Sequence, residues 1–170
     1  GGDPTGVKAL LVLEDDTLIS GGVDGGIFVW QPVTDAEGGM RLVCTHELRG
    51  HQRDVNALVW EPTTRQLFSA SHDHTVKLWE APEPAEAGAP IAVQACKASL
   101  RSHAAEVSCL GSSNGWIVSG SYDKSLCFWP WGAQDAQPAS RAHKTAHEGA
   151  LLALCCVGCV LVSCAVDSTM

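Results

Sequence analysis

The chain is short of positive charge. Eleven Lys and Arg stand against nineteen Asp and Glu, for a net charge of −8. Nucleic-acid binding normally rests on clustered Lys and Arg, so nucleic acid is not expected as a partner. Long apolar runs are also missing. The longest, Leu151 to Val162, is about 12 residues and is broken by Gly158. A membrane-spanning helix needs about 20, so no membrane partner is expected either. There is no basic, then apolar, then small-residue leader of the secretory kind.

Signatures of several chemistries are absent as well. There is no Gly-x-Ser-x-Gly elbow of a hydrolase. Gly21-Gly22 and Gly25-Gly26 lack the following Lys-Ser/Thr and helix of a phosphate loop, and read as turns. Cys156 and Cys159 form a Cys-x-x-Cys, but no second pair exists to complete a zinc motif. No cofactor and no metal is expected. Most of the eight Cys occupy apolar positions in expected strands, where free Cys behaves as a small hydrophobe. That usage suits a reducing compartment. Cytoplasm is the first expectation, with a nuclear or ciliary site as alternatives.

What is present is a repeat. Ser20, Asp24 and Trp30 recur as Ser69, Asp73 and Trp79, and as Ser119, Asp123 and Trp129. Ser163 and Asp167 open a fourth copy. Asp follows Ser by four, and Trp follows Asp by six, in every complete copy. A period near 50 residues points to propellers or arrays.

Each unit has the same grammar. In the second, His51 precedes the apolar run Val55 to Trp60. A polar turn follows, then Leu67 to Ser71, a tight turn at His72-Asp73-His74, and the alternating strand Thr75 to Trp79. Short β-rich runs divided by turn residues read as an antiparallel meander. The third unit repeats this from His103, with Asn114-Gly115 as a hairpin turn in which both residues tolerate positive φ. The fourth has His147 and a turn at Val157-Gly158. The first lacks the leading His, and Asp3 stands in its place.

A His, an apolar run, Ser-x-x-x-Asp and a strand ending in Trp together resemble the WD40 repeat family, from about Val7 to Met170. The resemblance implies an all-β β-propeller of four-stranded antiparallel blades. It also implies a buried hydrogen-bonded network in each blade. By motif position these are His51, Ser69, Asp73 and Trp79, then His103, Ser119, Asp123 and Trp129. Buried polar groups need such partners. The sequence departs from the family at Gln31, Glu80 and Pro130, which replace the Asp that follows Trp, and at Ser102 and Ala146, which replace Gly before His.

The expected blades cover residues 1–48, 49–99, 100–142 and 143–170, with outer strands at Arg41 to Glu47, Ile91 to Lys97 and about Gln137 to Arg141. This is an incomplete arc of about three and a half blades. It is expected to be part of a longer protein whose missing blades are partners of this segment. Trp30, Trp79 and Trp129 are expected in the core, and Trp131 is expected to be exposed. A Ser-His-Asp triad has no reason to recur at one spacing in successive repeats, so no enzyme activity is expected. The function expected is a protein–protein interaction scaffold within a multi-subunit complex. The alternative is an accessory substrate-recognition propeller of a multidomain enzyme such as a ubiquitin ligase or kinase. Arg53, His72, Glu106 and Tyr122, beside the turn Asp or in the loop before a first strand, are the candidate partner contacts.

Overall fold

The structure is a computed structural model that describes residues 6–82, 89–130, 140–142, 147–158 and 160–167. Blade 1 is formed by β1 (Val7–Val12), β2 (Leu18–Gly22), β3 (Ile27–Thr34) and β4 (Met40–Arg49). Blade 2 holds β5 (Val55–Glu61), β6 (Gln66–Ser71) and β7 (Thr75–Glu80), followed by β8 (Ala92–Ala95) and β9 (Ala98–Arg101). Blade 3 is β10 (Val107–Ser113), β11 (Trp116–Ser121), β12 (Leu126–Pro130) and β13 (Ser140–Ala142), and blade 4 is β14 (Leu151–Val157) and β15 (Val160–Ala165). The neighbours in the strand orders β1-β2-β3-β4, β5-β6-β7-β9, β10-β11-β12-β13 and β14-β15 pair antiparallel, and β8 stands apart from this order. The architecture is therefore all-β, an open propeller arc among the described residues.

Turn chemistry follows the sequence. Gly25, His74 and Lys124 occupy one repeat position and all take positive φ, at 84°, 68° and 70°. Asn114 and Gly115 both lie at positive φ, which suits the right-handed twist of the flanking strands.

The outer strand of blade 2 departs from expectation. Residues 98–101, not 91–97, pair with β7. Leu100 is fully buried opposite Val76, and this anchors the register. Ala92 to Ala95 instead lie parallel to β4 on the outer edge of blade 1. The free edge of β4 is a row of unpaired backbone groups that captures a passing extended segment. The stretch Gln31 to Met40 is also less loop-like than expected, because β3 runs to Thr34 and β4 starts at Met40. The expected outer strand at Gln137 to Arg141 falls partly outside the described residues, which resolve β13 over Ser140–Ala142.

Each blade junction has its own core. Ile19, Val29 and Leu48 of blade 1 pack with Val55, Leu67 and Trp79 of blade 2. Phe68, Val76 and Leu100 of blade 2 pack with Leu110, Ile117 and Trp129 of blade 3. Cys109 and Val118 of blade 3 pack with Leu151 of blade 4. Neighbouring residues on one strand point to opposite faces. That is why Leu67 serves one junction and Phe68 the next. The middle strands β6 and β11 are covered on both sides, and every residue after the first is buried in each. Trp79 and Trp129 are fully buried and Trp30 is half-buried. Trp131 lies outside the described residues.

Candidate functional site

Two groups of polar residues stand out: one sealed between blades, the other exposed at the loop end. In blade 2 the Trp79 indole N–H donates to Ser69 Oγ at 2.8 Å. Ser69 Oγ lies 2.7 Å from His51 Nε2, and His51 Nδ1 lies 2.8 Å from Asp73 Oδ2. Trp can only donate and a carboxylate can only accept. A neutral imidazole therefore satisfies every member if Ser69 donates to Nε2 and Nδ1–H donates to Asp73. Burial lowers the His51 pKa, outweighing the carboxylate beside it, so the neutral form is the one favoured. Burial alone would raise the Asp73 pKa, but hydrogen bonds from His51 and Thr75 hold it well below the usual carboxylate range.

Blade 3 repeats the geometry. Trp129 Nε1 donates to Ser119 Oγ at 2.9 Å, His103 Nε2 lies 2.8 Å from Ser119 Oγ, and His103 Nδ1 lies 3.2 Å from Asp123 Oδ2. Burial opposes ionisation of Asp123, yet hydrogen bonds from the Ser125 hydroxyl and the Ala104 N–H bring its pKa to about 2. In blade 4 His147 lies 2.8 Å from Ser163 Oγ and 3.3 Å from Asp167. In blade 1 Trp30 donates to Ser20 Oγ at 2.9 Å, and among the described residues no histidine joins that pair.

Ser, His and Asp at these separations have the outline of a hydrolase triad. The surroundings remove the chemistry. Ser69 and Ser119 are fully buried, and each hydroxyl oxygen already accepts an indole N–H. A nucleophile needs access to a substrate carbonyl and donors aimed at the developing oxyanion, and burial denies these hydroxyls both. What the arrangement does is lock the loop before a blade onto the turn inside it. Thr75 and Ser125, whose hydroxyls also donate to the turn Asp, were not expected in these networks. Their shared position two residues after Asp was the available signal.

The exposed group sits where first strands begin. His72 Nε2 and Glu106 Oε1 are 2.6 Å apart, joining blades 2 and 3. Lys8 and Asp54 are 2.6 Å apart, joining blades 1 and 2 in the same manner. The Tyr122 N–H donates to the Glu106 carbonyl at 2.9 Å, and the Tyr122 ring is exposed. Three of the four expected contact residues are thus brought together. His72 and Glu106 satisfy each other rather than standing free. Arg53 lies beside Asp54 with its side chain exposed. Lys8, Asn56, Glu106, Ser108, Tyr122 and Leu152 line a recess of about 240 Å³. Lys8, Asn56 and Ser108 were missed in the sequence, because a lone polar residue in an apolar strand carries no signal until neighbouring strands converge on it.

The described cysteines are free thiols. Among the described residues, no three His, Cys, Asp or Glu side chains group as a metal site.

The family described as WD domain, G-beta repeat matches residues 42–80 and 94–130. The ribosome biogenesis protein ytm1 of Emericella nidulans is 32% identical over 92 residues, covering 53% of this chain and 19% of that protein. Pre-mRNA-processing factor 19 of Mus musculus is 27% identical over 127 residues, covering 72% of this chain and 22% of that protein. The chain thus spans about a fifth of the length of these relatives. The computationally designed Ika4 protein superposes with a TM-score of 0.71 at 25% identity, covering 99% of this chain and 90% of that one. The designed Ika8 protein gives 0.68 at 27% identity, covering 96% of this chain and 44% of that one. With the repeat matched in two places and the blades laid out in register, the chain carries WD40 repeats folded as blades of a β-propeller.

Proposed function

We propose that this chain is a protein-interaction scaffold that contacts its partners through the loop end of the blades. The observation that carries this reading is the division of polar groups. The recurrent His, Ser, Asp and Trp are consumed in sealed networks. The non-recurrent ones, Arg53, His72, Glu106 and Tyr122, gather at one end. Tyr and Arg are frequent interface anchors. The chain acts by binding and is not an enzyme on this reading.

Relatives named for ribosome biogenesis and pre-mRNA processing favour a place in a multi-protein assembly. They also favour a nuclear site over the cytoplasmic one expected from the sequence. The expected blade divisions at residues 1–48, 49–99, 100–142 and 143–170 are retained as the proposed structural units.

The test is affinity capture with quantitative mass spectrometry, comparing the wild-type chain with the Arg53→Ala/Tyr122→Ala variant. Specific partners should fall about tenfold or more, with the melting temperature unchanged. Retention of every partner by the variant overturns the proposed face.

A further inference from the structure

The flank of blade 1 holds a built but uncompleted copy of the tetrad. Ser20 and Asp24 occupy the repeat positions of Ser69 and Asp73. Trp30 donates to Ser20 Oγ at 2.9 Å, matching 2.8 Å and 2.9 Å in blades 2 and 3. Asp24 accepts the Gly26 N–H at 3.0 Å, as Asp73 accepts that of Thr75 at 3.0 Å. Ser20 is only 5% exposed, and its hydroxyl hydrogen has no acceptor among the described residues. Beside it lies a mostly apolar cavity of about 290 Å³, whose lining includes Ser20, Gly22, Asp24, Phe28 and Trp30. Gly26 stands where blades 2 and 3 have Thr75 and Ser125, so no hydroxyl competes for the Asp24 carboxylate. Residues 1–6 include no histidine, and Asp3, at the equivalent sequence position, lies outside the described residues.

We propose that this cavity is a docking site for a histidine side chain presented by a partner polypeptide. The chain itself supplies the template. In three blades an imidazole sits 2.7–2.8 Å from the serine, with its other nitrogen 2.8–3.3 Å from the aspartate. In each, the residue after the histidine also donates its backbone N–H to that aspartate, from Gln52, Ala104 and Glu148. The ligand is therefore a His-Xaa pair in which Xaa is not proline. Imidazole Nε2 accepts the Ser20 hydroxyl, and Nδ1–H and the next N–H both donate to the Asp24 carboxylate, as in blades 2 and 3, where both meet the same Oδ2 while Oδ1 takes the N–H two residues after the Asp. Phe28 and Trp30 cover the ring.

The probe is N-acetyl-His-Ala-amide, titrated into the ¹⁵N-labelled chain while the indole N–H resonances are followed. The Trp30 resonance should shift saturably. Those of Trp79 and Trp129, whose sites already hold a histidine, should stay in place. N-acetyl-His-Pro-amide, lacking the second N–H, should bind about tenfold more weakly. N-acetyl-Phe-Ala-amide should leave Trp30 unmoved. In Ser20→Ala the response should vanish, while unchanged Trp79 and Trp129 resonances report an intact fold. No Trp30 shift up to the solubility limit overturns the proposal. So does an equal shift with the Phe peptide, or a response that survives Ser20→Ala.

Discussion

Removing the carboxylate of Asp73 exposes how much the tetrad contributes to folding. Asp73 accepts from His51 Nδ1, from the Gln52 and Thr75 N–H groups and from the Thr75 hydroxyl. In Asp73→Ala the Gln52 N–H lies in an exposed loop and rehydrates at little cost. The His51 side chain is fully buried, so its N–H loses its main partner with no water to replace it. An orphaned buried donor costs about 1–3 kcal/mol, and loss of the charge-assisted bonds brings the total to about 2–4 kcal/mol. Asp24→Ala is the internal control. Among the described residues Asp24 accepts the Gly26 N–H alone, at an exposed site, so its loss should cost under about 1 kcal/mol. At a slope of about 2 kcal/mol/M, a loss of about 3 kcal/mol moves the urea midpoint down by about 1.5 M. The assay is urea denaturation followed by Trp fluorescence for both variants. Equal midpoint shifts in Asp73→Ala and Asp24→Ala would refute the reasoning, because the imidazole would then contribute nothing.

Other perturbations test different parts of the structure. Stability should fall as pH drops below 6.5, because the folded-state pKa of His51 is lowered and the unfolded chain protonates first. It should fall again below 3.8, where the depressed carboxyl of Asp73 gives the folded state its advantage only while ionised; urea midpoints from pH 3 to 8 check both. Gly21→Ala should cost about 1–3 kcal/mol in the same assay, since a Cβ there would stand 2.6 Å from Val55 Cγ1 and force blades 1 and 2 apart. Alkylation by iodoacetamide, mapped by mass spectrometry, should modify exposed Cys155 well before Cys109, whose thiol is buried and whose pKa is pushed up to about 11.

The repeat spacing by itself determined a great deal. A Ser and a Trp ten residues apart are diagonal neighbours on adjacent antiparallel strands, on one face and two residues from the directly opposed position, so Ser20–Trp30, Ser69–Trp79 and Ser119–Trp129 needed only the hairpin between them. The turns at His74 and Lys124 and the Asn114-Gly115 hairpin are equally local. His51 and His103 reach across about 20 residues, and the motif still placed them, because each short loop is held between the outer strand of one blade and the first strand of the next.

Tertiary structure decided what crosses between blades. The His72–Glu106 and Lys8–Asp54 pairs join residues whose relation depends on how one sheet sits against the next, and no periodicity encodes that. The destination of Ala92 to Ala95 was settled by competition between two sheet edges, won for β9 by the burial of Leu100 and for β8 by the unpaired edge of β4. The cavity beside Ser20 belongs to the same class. Its serine, aspartate and tryptophan were plain in the sequence, but an unspent buried hydroxyl facing open space exists only once the strands are folded together.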